Sequence, residues 1–279
     1  MYKILRNEKI SPNSFLMDVV APDVIKNAKP GQFVIVMAKE DSERIPLTIY
    51  DYDRETNVLS LIYQVIGAST DELSTLTDEL FAVVGPLGKE NEICANPEEF
   101  KGKRIVYVAG GVGIAPVYPQ VKFLKEHGFE VDIIYGSREK DLLLIRDKAE
   151  NVARKVFYAT DDGSYGEKGF VTTILEREIE NYDICVAIGP VIMMKNVAEL
   201  TKKYNMKTIV SLNPLMVDGS GMCGACRCEI EGKPKFACID GPEFDGHKVN
   251  FDLALKRMNI YKEEEKEKWE QMKKALKNN

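Results

Sequence analysis

The rhythm of the sequence changes near residue 100, and this change limits the folds that the chain can adopt. Before it, Pro, Gly, Asp and Asn turns separate short runs of β type: KILRNEKI, SFLMDVV, QFVIVM, VLSLIYQVI and FAVV. Such spacing is typical of an antiparallel barrel or sandwich. After it, an apolar strand, a glycine turn and a helix follow one another: RIVYVA, GGVGIAP, VYPQVKFLKEHG, then the strand VDIIYG. This order predicts an α/β domain with a doubly wound parallel sheet.

The length of the chain favours several small cores over a single one. Its 279 residues, 44% of them apolar, are enough for two or three domains. Further strands are predicted at KVFYAT, ICVAIG and KTIVSL, alternating with helices near 140–150, 171–180 and 191–204. We therefore predict an antiparallel β-barrel over residues 1–99, an α/β nucleotide domain over 100–210, and a Gly- and Cys-rich segment with an exposed C-terminal helix over 211–279.

Composition excludes some classes of partner. The net charge is −6 and no basic stripe interleaves with aromatic residues, which makes nucleic acid a poor candidate. The start, MYKILRNEKI, has no signal-type apolar run, and no stretch approaches the roughly 18 apolar residues of a membrane helix. We expect a cytoplasmic protein without a membrane partner.

A glycine-rich turn follows the strand RIVYVA and opens a helix. It contains Gly110, Gly111 and Gly113 and ends at Pro116. Glycines let the backbone approach a pyrophosphate, and a helix N-terminus offers unpaired N–H groups to phosphate charge. A tight turn without a ligand is the alternative, because the full G-x-G-x-x-G fingerprint is missing.

The six cysteines fall into two groups. Four of them lie within sixteen positions: Cys223, Cys226, Cys228 and Cys238. In a reducing compartment, thiolates so close in sequence indicate a shared metal or cluster rather than disulfides. Cys94 and Cys185 stand alone in apolar surroundings and are predicted to be small buried hydrophobic residues.

The spacing of the clustered cysteines matches plant-type [2Fe–2S] ferredoxins, which use C-x4-C-x2-C and a distant fourth Cys. Asp218 stands in the first position, so the predicted ligands are Asp218, Cys223, Cys226 and Cys238. A carboxylate can ligate iron, although it is a harder ligand than thiolate. Cys228 is the rival of Asp218 as the remaining ligand, because two residues along an extended strand it would share the face of Cys226. A four-cysteine zinc site is the other alternative, but only one C-x2-C pair is present.

Several short motifs accompany the glycine turn and the Cys loop: Pro46-Leu47-Thr48, Gly67-Ala68-Ser69-Thr70, Gly85-Pro86-Leu87-Gly88, Tyr135-Gly136-Ser137-Arg138, Thr160-Asp161-Asp162-Gly163-Ser164 and Gly189-Pro190. In this order they resemble the ferredoxin–NADP reductase superfamily, in the branch that contains the electron-transfer subunit of dihydroorotate dehydrogenase. Within that branch the chain is most similar to the small (alpha) subunits of NADH-dependent reduced ferredoxin:NADP⁺ oxidoreductases, also described as sulfide dehydrogenase subunits. The resemblance covers nearly the whole chain.

The resemblance implies a cofactor role for several groups of residues. The segment along the flavin would be Arg44, Pro46, Leu47 and Thr48, and the turn that holds the FAD pyrophosphate would be Gly67, Ser69 and Thr70. The nicotinamide dinucleotide would lie against Gly110, Gly111, Gly113 and Pro116. Its adenosine ribose would meet Gly136, Ser137 and Arg138, with Asp161 and Asp162 in a neighbouring loop. Ordinary turn or cap chemistry is the alternative for each Ser, Thr and Asp.

The chain also departs from the superfamily pattern. Ile45 stands where the flavin motif normally has Arg, and the only nearby Arg is at position 44. Ile188 stands where many relatives carry a Cys beside the nicotinamide. Dihydroorotate-type subunits have Cys in place of Asp218, which favours the ferredoxin:NADP⁺ oxidoreductase branch.

The implied cofactors are FAD, a [2Fe–2S] cluster and NAD(H), with NADP(H) as the other possible nucleotide. Hydride would pass from the nicotinamide to the flavin, and single electrons would leave through the cluster. Because the cofactors carry this chemistry, we expect no catalytic side chain.

The implied partner is a larger flavoprotein subunit with FAD and [4Fe–4S] clusters. The heterodimer would couple NADH and reduced ferredoxin to NADP⁺ by flavin-based electron bifurcation. The alternatives are an electron-transfer subunit of dihydroorotate dehydrogenase or of a sulfur or sulfide oxidoreductase, and a non-enzymatic module that binds nucleotide and zinc.

Overall fold

The structure is a computed structural model that describes the backbone of residues 1–277 and the side chains of residues 1–274. Its first seven strands are β1 Tyr2–Ser11, β2 Ser14–Val20, β3 Phe33–Met37, β4 Ile45–Asp53, β5 Val58–Gln64, β6 Glu79–Leu80 and β7 Ala82–Leu87. They form one antiparallel sheet in the order β6-β1-β2-β5-β4-β3-β7. Three short helices lie in the connections: α1 Pro22–Ile25, α2 Ala68–Ser74 and α3 Glu92–Ala95. This curled sheet confirms the predicted β-barrel.

The barrel encloses its own apolar core. Alternate residues of neighbouring strands point inward, because successive side chains of a strand face opposite sides of the sheet. Met17, Val19, Leu59 and Leu61 are completely buried in this way. The predicted runs at SFLMDVV and VLSLIYQVI therefore supply the centre of this core.

Strand β4 was not among the predicted strands. Its sequence, IPLTIYDYD, contains a proline, which cannot donate to a sheet hydrogen bond. The structure accommodates Pro46 because β4 changes partner along its length. Residues 45–48 pair with β3, and the pairing with β5 begins only at Ile49.

The second sheet follows the strand-and-helix rhythm of the sequence. Its strands are β8 Ile105–Gly110, β9 Val131–Ser137, β10 Lys155–Thr160, β11 Glu167–Lys168, β12 Ile184–Ile188 and β13 Lys207–Ser211. They are parallel, in the order β11-β10-β9-β8-β12-β13. The helices are α4 Ile114–Glu126, α5 Arg146–Val152, α6 Val171–Glu178 and α7 Val191–Lys203. The two faces of β8 enter different apolar cores, so the sheet is covered on both sides, as predicted.

The C-terminal part adds three strands and three helices: β14 Arg227–Ile230, β15 Lys233–Phe236, α8 Ala237–Asp240, β16 Glu243–Asp245, α9 Phe251–Met258 and α10 Lys262–Lys277. Strands β14 and β15 form a hairpin, while β16 pairs antiparallel with β13 at the edge of the second sheet. The predicted tail helix is α10, and residues 278–279 lie outside the described residues. Within residues 1–277 no helix is both long and apolar enough to cross a membrane.

The three parts of the chain meet at the carboxylate of Glu243, on β16. It accepts hydrogen bonds of 2.7 Å from the side-chain amides of Asn91, which caps α3, and Gln120, on α4. The residue as a whole keeps some exposed surface, but protein surrounds its carboxylate. This burial raises the pKa of Glu243 to about 7.

Candidate functional site

The glycine turn after β8 brings the backbone of two crossover loops together. Residues 111–113 form a single 3₁₀ turn, and α4 begins at Ile114. A Cβ added to Gly113 would lie inside van der Waals distance of the backbone carbonyl oxygen of Ile188, at the end of β12. The close approach of the two backbone segments therefore requires glycine at position 113. This requirement is compatible both with a dinucleotide site and with a tight turn that binds no ligand.

The other predicted nucleotide residues lie at the same edge of the sheet, where the parallel strands have their carboxyl ends. Gly136 and Ser137 end β9, and Arg138 follows them. The backbone N–H of Asp161 donates to the carbonyl of Ser137 at 3.1 Å, and that of Asp162 donates to the carbonyl of Arg138 at 3.2 Å. The structure thus brings the two predicted loops into contact. This edge is where open α/β sheets bind their ligands.

We expect a Gly113→Ala change to lower the free energy of unfolding by about 2 kcal/mol, because the new methyl group meets backbone that has no room to move. Denaturant unfolding of the flavin-free protein measures this, because bound flavin would itself add to the apparent stability. Gly67→Ala is the matched control, since Gly67 has an extended backbone and no atom within 4 Å of an added Cβ. Equal stability of the two variants would contradict the expectation.

The predicted flavin residues occupy two segments that touch. Pro46, Leu47 and Thr48 lie on β4, beside β3. Gly67 precedes α2, and the Ser69 hydroxyl at the start of that helix donates a hydrogen bond to Glu43, just ahead of β4.

Some of this local bonding is ordinary cap chemistry. The Thr70 hydroxyl oxygen accepts hydrogen bonds from the backbone N–H groups of Ile66 and Gly67 at 3.0 and 3.2 Å. Arg44 turns toward the Cys loop, where its guanidinium donates to the backbone carbonyls of Val217 and Asp218.

The Cys loop is organised by the carboxylate of Asp218. Its two oxygens accept backbone N–H groups from Ser220 at 2.7 Å and from Cys223 at 2.8 Å. These hydrogen bonds, that from Ser220 first, lower the pKa of Asp218 below its usual value, so the side chain is a carboxylate at neutral pH. The loop therefore holds an anionic oxygen donor beside Cys223.

Two of the predicted thiol ligands are neighbours. The Sγ atoms of Cys226 and Cys238 are 3.2 Å apart, and both residues are buried. Backbone N–H groups point at the sulfur atoms: Ala225 N–H lies 3.5 Å from Cys223 Sγ, and Cys238 N–H lies 3.5 Å from Cys226 Sγ. Such N–H groups are among the features that tune iron–sulfur clusters. The donor set and its surroundings fit that kind of group.

Cys228 is directed elsewhere. Its thiol lies 3.5 Å from the carbonyl oxygen of Lys235, and it packs in the apolar core of the second sheet with Leu212 and Phe251. Cys226 instead belongs to a separate small core with Cys238. The expectation of a shared face is wrong because Cys226 precedes β14 and lies in a turn rather than in extended backbone.

The Cys loop rests on the barrel beside the flavin segment. Gly219 has a φ of +76°, and an added Cβ would meet Leu87 on β7 at 2.6 Å. Phe33 and Ile35 of β3 pack with Cys226 and Cys238. Among the side chains of residues 1–274, no three Cys, His, Asp or Glu residues converge as one bound metal ion requires. A two-iron cluster divides its four ligands between two irons.

Comparison with known proteins places these features in a family. Residues 213–250 match the iron-sulfur cluster binding domain of dihydroorotate dehydrogenase B, and residues 107–199 match the oxidoreductase NAD-binding domain. A Thermotoga maritima homologue of the electron transfer subunit of dihydroorotate dehydrogenase B (NAD(+)) is 43% identical over 96% of this chain and 94% of its own length. The chain belongs to the dihydroorotate dehydrogenase B electron-transfer subunit family.

A further relative and two solved structures are similar to this chain. An uncharacterized protein from the adh 3′ region of Clostridium beijerinckii is 50% identical over 95% of this chain and 92% of its own length. A chain from the structure of NADH-dependent reduced ferredoxin-NADP oxidoreductase, studied for flavin-based electron bifurcation, superposes with a TM-score of 0.87 at 39% identity, over 98% of both chains. Ferredoxin-NADP⁺ reductase from Plasmodium falciparum, 14% identical with a TM-score of 0.59 over 72% of this chain and 90% of that chain, shares the fold.

The predicted family, fold class and oxidoreductase class are therefore confirmed. The chain is an oxidoreductase electron-transfer subunit with an NAD-binding domain and an iron-sulfur binding domain. Cys94 and Cys185 are buried as predicted. Sequence reasoning missed the junction at Glu243, because a lone acidic residue after Gly-Pro carries no signal of burial.

Proposed function

We propose that this chain is the FAD- and [2Fe–2S]-containing subunit that oxidises NADH and passes single electrons to a larger flavoprotein subunit. The enzyme would be a bifurcating NADH-dependent ferredoxin:NADP⁺ oxidoreductase. The observation that carries the proposal is the Cys loop, where Asp218, Cys223, Cys226 and Cys238 lie on the face of the barrel next to β4. The domain matches and the structural neighbour support it.

The nucleotide would bind at the carboxyl edge of the second sheet. The backbone of Gly110, Gly111 and Gly113 and the start of α4 near Pro116 would face its pyrophosphate. Gly136, Ser137 and Arg138 would face the adenosine ribose. The task of these residues is to hold the dinucleotide in one orientation.

The flavin would bind along β4 and the start of α2. Pro46, Leu47 and Thr48 would line its ring, and Gly67, Ser69 and Thr70 would face its pyrophosphate. Bound FAD supplies the conversion between hydride and single-electron transfer. The protein contributes stacking surface, hydrogen bonds to the ring edge and exclusion of water.

We expect NADH to bind at least about tenfold more tightly than NADPH. Asp161 and Asp162 are exposed, and their backbone N–H groups bond the Ser137–Arg138 segment. Two acidic residues beside this segment disfavour a 2′-phosphate, whereas a carboxylate suits a ribose 2′-hydroxyl. Fluorescence titration with each nucleotide measures this preference. Asp161→Asn should reduce it and Asp23→Asn, on the barrel, should leave it unchanged; equal affinities in the wild type would overturn the expectation.

The decisive experiment combines cofactor analysis with one substitution at the Cys loop. The purified chain should contain flavin, iron and sulfide, and an anaerobic EPR spectrum of the reduced protein should show a [2Fe–2S] signal. Asp218→Cys should retain the cluster and change its EPR signal and potential, because thiolate is a softer ligand than carboxylate. A wild-type chain that binds zinc and lacks iron and flavin would refute the proposal.

A second function rests on the family match itself. The iron-sulfur domain and several relatives are named for dihydroorotate dehydrogenase B. Copurification of the tagged chain identifies its large subunit. A partner with FAD and [4Fe–4S] clusters supports the first proposal, whereas a dihydroorotate-oxidising partner supports the second.

A further inference from the structure

Arg44 connects the barrel to the Cys loop across 173 positions of sequence. Its Nε atom donates to the carbonyl oxygen of Val217 at 2.6 Å, and its Nη2 atom donates to that of Asp218 at 3.2 Å. Arg44 lies directly before β4, the strand that carries Pro46, Leu47 and Thr48. One side chain thus joins the start of the flavin segment to the first predicted cluster ligand.

The guanidinium of Arg44 bonds to these two carbonyls rather than to a carboxylate. Among the side chains of residues 1–274, no carboxylate lies within 4.0 Å of its guanidinium nitrogens. The remaining nitrogen, Nη1, lies 3.7 Å from the Sδ atom of Met37. A partly buried cation therefore sits beside the loop without an ion-pair partner in that part of the chain.

Asp218 is consequently held from both sides. Arg44 holds its backbone carbonyl, while its carboxylate accepts the N–H groups of Ser220 and Cys223. Gly219, the residue after Asp218, lies so close to Leu87 on the barrel that an added Cβ would meet it at 2.6 Å. The position of the Asp218 side chain thus depends on Arg44, on the loop N–H groups and on the barrel surface together.

We propose that Arg44 is a positioning residue for the iron–sulfur cluster, which fixes Asp218 and raises the reduction potential of the cluster through its positive charge. This inference rests on the proposed function. Reduction adds a negative charge, and a nearby cation stabilises that charge by Coulomb attraction. Net charge and hydrogen bonding around a cluster are known to set its potential.

The geometry requires arginine in particular. A guanidinium offers several N–H donors in a rigid fork, so it can reach two successive carbonyls at once. Lysine has the same charge but a single ammonium on a flexible stem. Lysine at position 44 would therefore keep the electrostatic effect and lose part of the positioning effect.

The test compares Arg44→Gln, Arg44→Lys and Arg54→Gln in the full chain with its cofactors. Arg54 is the matched control, because its Nη2 also donates to a backbone carbonyl, that of Ala28 at 2.8 Å, at the opposite end of β4. EPR-monitored redox titration gives the potential of the cluster. Arg44→Gln should disfavour reduction about tenfold, a shift of 59 mV for one electron, and Arg44→Lys should recover at least half of it.

Hydrogen exchange on the apoprotein keeps the test independent of cluster loading. The amides of Ser220 and Cys223 should exchange faster in Arg44→Gln than in the wild type or in Arg54→Gln. An unchanged cluster potential together with unchanged exchange in Arg44→Gln would overturn the inference, as would equal shifts in Arg54→Gln. Absence of iron and sulfide from the wild type would instead refute the proposed function, so the two failures are distinguishable.

Discussion

Replacing Glu243 by Gln should make the stability of this chain much less dependent on pH. The wild-type carboxylate lies at the junction of β16, α3 and α4, and its pKa is raised to about 7 by burial. Because that pKa is higher in the folded than in the unfolded chain, the folded state holds a proton that the unfolded state releases. The stabilising effect of this proton is complete below pH 4.5, the ordinary value, and disappears as the pH rises through about 7.

The size of the effect follows from the difference between the two pKa values. An increase from 4.5 to about 7 corresponds to at most about 3 kcal/mol of unfolding free energy, at 1.36 kcal/mol for each unit. Gln carries no charge and should remove this loss. Its amide also suits the junction, because the Gln120 amide can rotate to place its Oε1 atom, which has no hydrogen-bond partner within the described residues, against the new donor.

Unfolding midpoints measured from pH 5 to pH 8 provide the check. We expect the wild type and Glu243→Gln to be similar near pH 5 and the variant to be more stable at pH 8. Glu130→Gln, which changes an exposed carboxylate on the second domain, should follow the wild type at every pH. A variant that loses stability in parallel with the wild type would show that another group causes the dependence.

The sequence predicted those parts of the fold in which the pattern of apolar side chains along the chain matches their burial. The apolar runs of β8 and β12 are buried on both faces, and the runs of β2 and β5 send alternate apolar side chains into the barrel core. The periodic stretch after Gly113 forms α4. In these elements local pattern and tertiary packing require the same residues, so the prediction succeeds.

Elements that depend on distant partners were not predictable in this way. Strand β16 is only three residues long and is defined by its pairing with β13. Strand β4 contains Pro46, whose missing N–H is tolerated only because of a change of partner at Ile49. The contacts of Glu243 and Arg44 join residues more than a hundred positions apart, and nothing near either residue in the sequence indicates them.

The candidate site shows the same division. The spacing of Asp218, Cys223 and Cys226 indicated one loop, and the structure forms that loop with glycines at positive φ. The placement of Cys228 away from the other clustered thiols required the tertiary structure. Cys238 approaches Cys226 only because the β14–β15 hairpin returns the chain to it.

Substitutions at Cys238 and Cys228 should therefore have different consequences for the cluster. Cys238→Ala removes a thiol 3.2 Å from that of Cys226, and we expect bound iron and sulfide to fall to near zero, because one iron would lose a protein ligand. Cys228→Ala removes a thiol that packs in the apolar core, and we expect full iron and sulfide content with a loss of about 1 kcal/mol of stability.

Iron and sulfide analysis after anaerobic reconstitution measures both outcomes, with the EPR signal of the reduced protein as a second readout. Cys185→Ala is the control, because Cys185 is a completely buried thiol on β12 in the same core as Cys228. It should lower stability and leave the cluster unchanged, as Cys228→Ala does. Loss of the cluster in Cys228→Ala with retention in Cys238→Ala would mean that β14 turns its other face to the iron, and the ligand set would then include Cys228 in place of Cys238.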